Sequence, residues 1–178
     1  IELNDNLAVG GTTVSHGVMA ETAKYLNEKN IPLVVMIRPR GGDFVYNDTE
    51  IKMMESDLFL AQELGVDAVT FGALTRNNEL DKEAMEMLIG AAGGMEIVMH
   101  MAFDEIPVAK QQETIDWLVD HQVSRILTHG GPLSVPIEDH LAQLQQTIVL
   151  ANNRIDILPG GGITNINAEH IATELGVN

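Results

Sequence analysis

The sequence predicts an α/β fold, a TIM-type (β/α) barrel, on three observations. Short β-rich runs recur about every 30 residues, segments of helical periodicity separate them, and unusually polar residues follow the runs. The periodicity alone leaves a doubly wound sheet open. Eight units of about 30 residues make the usual barrel of about 250. Only six are legible, the chain opens inside a strand run, and it stops at "ELGVN", where another strand is due. The expectation is one barrel domain over residues 1–178, truncated to six of eight units and lacking the first and last strands.

The strand runs are "IEL" at Ile1, "LVVMI" at Leu33, "AVTF" at Ala68, "EIVM" at Glu96, "RILT" at Arg125 and "IDIL" at Ile155. Each is short and rich in β-branched or large apolar residues, which suits a strand covered on both faces. Between them, Ile115, Leu118 and Val119, and again Leu141, Leu144 and Ile148, recur at helical spacing. "ELGVD" at Glu63 runs straight into "AVTF", which makes Gly65 the helix-ending residue.

Ten Lys and Arg face 26 Asp and Glu, for a net charge of −16. That field repels phosphate backbones and anionic lipid heads, so nucleic acid and membrane surfaces are not expected partners. No run of about 18 uncharged apolar residues spans a bilayer, and the expected location is the cytoplasm. The chain has no Cys, which removes disulfides, thiolate metal ligands and a cysteine nucleophile.

In parallel α/β folds the working groups gather at the carboxyl ends of the strands. Arg38 and Arg40 follow the second run and lie two residues apart, on one side if the chain stays extended through Pro39. Two planar guanidiniums there suit a phosphate or carboxylate; the bland alternative is an ion network with Glu2, Asp43 or Asp104. Gly160, Gly161 and Gly162 follow the sixth run and leave amides for the same anion just before a helix start at Thr164 or Asn165. His100 and Asp104, after the fourth run, are the acid–base candidates; the alternative for His100 is a neutral, hydrogen-bonded wall residue. His129 is a weaker candidate, and His16, His121, His140 and His170 read as solvent-facing. Met53, Met54, Met85 and Met87 read as core filler. Alternation turns Met99 away from His100, and no metal ligand set is assigned.

The blocks "IELNDNLAVGGTTVS", "IRPRGGDFVYND", "FGALT", "HMAFDE", "RILTHGG" and "ILPGGGI" resemble the CutC family of copper-homeostasis proteins, in order over nearly the whole chain. The resemblance implies a TIM-type barrel, a homodimer or other oligomer in the cytoplasm, and Cu(I) binding or buffering as the copper function. Members of the family commonly carry a cysteine where this chain has Asn4, and an amide is a poor ligand for soft Cu(I). Two other functions stay open: an enzyme acting on a small anionic metabolite held by Arg38 and Arg40, and a non-catalytic oligomeric scaffold.

Overall fold

The computed structural model describes residues 1–176; Val177 and Asn178, which close the "ELGVN" stretch, lie outside the described residues. Six strands alternate with six helices: β1 Glu2–Leu3, α1 His16–Lys29, β2 Val34–Met36, α2 Asp48–Glu63, β3 Ala68–Phe71, α3 Lys82–Ala91, β4 Glu96–Met99, α4 Val108–Asp120, β5 Arg125–Thr128, α5 Leu141–Ala151, β6 Asp156–Pro159 and α6 Ala168–Leu175. Strands that pair with chain neighbours, in parallel and with a helix in each crossover, have the (β/α) barrel pattern predicted from the sequence. The chain divides into two compact units, Ile1–Val98 and the remainder from Met99.

In the first unit the pairing register puts Glu2 beside Val34 and Val34 beside Ala68. Alternation then places Asn4, Met36 and Thr70 on that same face two residues on, and Arg38 two further. The opposite face carries Val35, Ile37, Val69 and Phe71, none exposed. Against it lie apolar stripes of α1 (Met19, Ala23, Leu26), α2 (Ile51, Met54, Leu58, Ala61) and α3 (Ala84, Met85, Leu88). Met54 and Met85 are core as expected, but Met53 and Met87 are 49% and 44% exposed, because each is displaced from its helix's buried stripe.

Helix ends follow local chemistry. Asn47 accepts from the Thr49 and Glu50 amides while Glu50 reaches back to the Asn47 amide, a closed capping box that starts α2. Gly65 takes φ +69 just past the end of that helix, the left-handed conformation in which a side chain is strained.

In the second unit β5 and β6 pair from Arg125–Asp156 to Thr128–Pro159. Ile137, Leu144, Ile171 and Leu175 form a buried cluster under Leu141 and Ile148, and Phe103, Ile115, Leu118 and Ile126 are fully buried. Two histidines read as solvent-facing, His16 and His170, are exposed. The other two are half-buried: His121 stacks on Trp117 at 3.7 Å, four residues back along α4, and His140 meets the edge of His129 at 5.2 Å.

Candidate functional site

Arg38 and Arg40 meet different environments. Arg38 is 4% exposed. Its Nη1 donates to Val9 O and Gly11 O, both at 2.9 Å, and its Nη2 to Gly42 O at 2.8 Å. The guanidinium thereby ties the turn Leu7–Gly11 to the glycine loop after β2, with the Phe44 ring 4.8 Å from its centre. Its Nε has no partner, and among the described residues no carboxylate pairs with it. Nearby on the same face, Thr70 Oγ1 is wholly buried and unpartnered. Asn4 Nδ2 donates to Glu2 Oε1 at 3.0 Å, which fixes the amide orientation and leaves Oδ1 packed against Gly11.

Arg40 is more than a third exposed and its donors are engaged within its own loop. Nε meets Glu50 at 2.5 Å, Nη2 meets Asp43 and Val45 O, and Nη1 meets Gly41 O and Asp43 O. Of the two guanidiniums expected to converge on one anion, Arg40 is engaged within its own loop and Arg38 keeps only Nε unpartnered. Asp43 is the local acid named from the sequence, and Glu50, half a helical turn into α2, was missed. Its signal was legible, since Asn47 and Glu50 form the capping spacing that turns a carboxylate back toward the loop. The Arg40 contact, then the Asn47 amide, hold the Glu50 carboxyl below its ordinary range.

Tyr46 stacks beside Arg40 at 5.3 Å. Its buried hydroxyl has no aligned hydrogen-bond partner. Burial pushes the phenol pKa up, and the Arg38 charge pulls against it.

In the second unit His100 is 2% exposed and caps the short turn Met101–Glu105: its Nδ1 accepts from the Ala102 amide at 3.2 Å, which puts the neutral ring's proton on Nε2. Asp104 sits in that turn and gathers three donors, Thr128 Oγ1 at 2.5 Å, the His129 amide at 2.9 Å and the Gly130 amide at 3.0 Å. Burial raises the Asp104 carboxyl against the pull of these donors. His129, ranked low from the sequence, is as buried as His100; its Nδ1 lies 3.0 Å from both Gly160 O and Gly161 O, and its Nε2 2.9 Å from Val135 O. Its role was hidden because two of the carbonyls it meets, Gly160 O and Gly161 O, come from a loop distant in sequence.

The glycine loop has φ +80 at Gly161 and +77 at Gly162, and the Gly160 amide donates to Thr128 O. α6 starts at Ala168, later than the helix start expected at Thr164 or Asn165. The reason is a turn: the Thr164 amide and hydroxyl both donate to Asn167 Oδ1, and Asn167 Nδ2 donates to Gly162 O and Glu138. Gly161 and Gly162 therefore sit ahead of a turn rather than at a helix start.

The residues fit tight Cu(I) binding poorly. There is no thiolate, and among the described residues no group of three or more His, Asp or Glu gathers. No helix among the described residues is long and apolar enough to cross a membrane.

The CutC family matches residues 1–178. A CutC family protein of Enterococcus faecalis is 50% identical over 99% of this chain and 85% of its own length. A human relative named copper homeostasis protein cutC homolog is 39% identical over 96% of this chain and 60% of its own length. The crystal structure of CutC from Streptococcus agalactiae superimposes with a TM-score of 0.96 at 50% identity, covering 99% of this chain and 84% of that one. With its fold and its whole length matched, the chain belongs to the CutC family.

Proposed function

We propose that the chain acts in copper homeostasis in the cytoplasm, as an oligomer, and that it meets Cu(I) as a weakly held cargo. The family membership over the whole chain supports the physiological role. The donor set, thioethers and imidazoles without a thiolate, favours weak over tight binding. The test is growth of an Enterococcus faecalis strain deleted for its relative. This chain should restore tolerance to added copper, and equal copper sensitivity with and without it contradicts the role.

One observation favours a second reading, in which copper homeostasis depends on a small anionic metabolite. It is the buried Arg38 guanidinium with an unpartnered Nε and no counter-ion among the described residues. A buried charge held only by neutral carbonyls is unfavourable unless something further compensates it. Arg40, its donors engaged by Glu50 and Asp43, orients the loop that follows β2.

A further inference from the structure

We propose that the first unit carries a closed pocket for a single small oxyanion, a phosphate or carboxylate group, gripped by Arg38 Nε, Thr70 Oγ1 and Tyr46 Oη. This rests on the anion reading above and adds the donor set and the gate.

Three buried donors of the first unit lack a well-aligned acceptor. Arg38 Nε, Thr70 Oγ1 and Tyr46 Oη are each covered and none has a well-aligned hydrogen bond; the Tyr46 hydroxyl and the Arg38 guanidinium lie close enough to interact with each other. Arg38 and Thr70 project from one face of adjacent strands, fixed by the Met36–Thr70 register. Tyr46 comes from the loop that follows β2, close enough for the Arg38 charge to act on its phenol. Buried N–H and O–H groups are nearly always paired in native proteins, so three orphans around one uncompensated cation ask for an acceptor that is also negative. A neutral carbonyl would satisfy the hydrogen bonds and leave the charge; a metal ion would satisfy neither.

These atoms are out of solvent contact, so the ligand enters only if part of the wall moves. The wall that can move is the loop from Pro39 to Val45. It lays Phe44 over the guanidinium and bonds it through Gly42 O. Gly42 has φ +88, and Gly41 packs so closely on Val9 that a Cβ there would lie 2.7 Å from the Val9 Cβ. An oxyanion that takes Nε and Nη2 together, the bidentate face of arginine, replaces the Gly42 carbonyl and frees the loop. Arg38 is thus both the staple that closes the loop and the group that the ligand competes for.

The experiment measures melting temperature and isothermal binding heat with inorganic phosphate, sulfate and acetate against chloride at matched ionic strength. It compares wild type with Arg38→Ala, Arg38→Lys, Thr70→Val and Tyr46→Phe. One of the three anions should raise the melting temperature saturably. Arg38→Ala should abolish the response and Arg38→Lys keep part of it. Thr70→Val and Tyr46→Phe, both near-isosteric, should each weaken binding by about fivefold, the loss of one hydrogen bond. If Arg38→Ala does not fold, the two isosteric variants decide. No saturable response in wild type overturns the anion reading itself. A saturable response lost on Arg38→Lys or Arg38→Ala but unchanged in Thr70→Val and Tyr46→Phe leaves that reading standing and overturns this donor set.

Discussion

The Glu50 carboxylate that closes the cap of α2 is also the counter-charge of Arg40, with Nε of the arginine 2.5 Å from Oε1. One side chain therefore ties the start of a helix to the loop after β2, and the two contributions can be separated. Gln at position 50 still accepts from the Asn47 amide and loses only the charge, at a cost of about 0.5 kcal/mol for a part-exposed pair. Ala loses both, at about 1 kcal/mol more. Chemical denaturation of Glu50→Gln and Glu50→Ala checks the order.

The same pair sets a pH dependence. Arg40, then the Asn47 amide, hold the Glu50 carboxyl below its ordinary 4.5, so its stabilisation is fully present above that value and is lost as pH falls through the lower folded one. Melting curves of wild type and Glu50→Gln should converge in acid, and a gap that widens there contradicts the pairing.

Asp104 behaves oppositely. Burial raises its carboxyl above 3.8 despite three donors, so its contribution is present below 3.8 and is lost as pH rises through the higher folded value. Carboxyl carbon NMR should place its midpoint above 3.8. Asp104→Asn turns an NH2 group toward a backbone amide and leaves one donor unpaired, which should cost about 1–3 kcal/mol at neutral pH. A neutral effect on the urea midpoint would show that the turn tolerates the loss.

Leu58 and Phe59 are adjacent in α2 and face opposite ways, 0% and 52% exposed. Leu58→Ala should cost about 2–5 kcal/mol and Phe59→Ala about 0.5 or less, unless a partner covers Phe59. The two melting temperatures, measured at several protein concentrations, check both statements.

Strands were the most legible part of the fold. "AVTF", "EIVM" and "RILT" are strands over those same residues, because short β-branched runs bounded by turn residues have few other uses. Arg38 was legible as a buried charge at a strand end, but not its separation from Arg40: the Gly41–Gly42 reversal that hands Arg40 to Glu50 depends on backbone conformation, which residue spacing does not report. His129 and the Asp104 clamp escaped for a related reason, since most of their partners are main-chain groups 25 to 32 residues away, and every residue type presents those. Asp104 was expected as an acid–base group; its geometry is that of an acceptor holding the loop after β5.

This CutC family chain is proposed to serve copper homeostasis without building a tight copper centre. Anaerobic Cu(I) titration against a competing chelator tests it most directly. No stoichiometric binding tighter than about micromolar is expected. A tighter one-to-one site, removed by Met101→Ala or His100→Ala, would contradict it and identify those side chains as ligands.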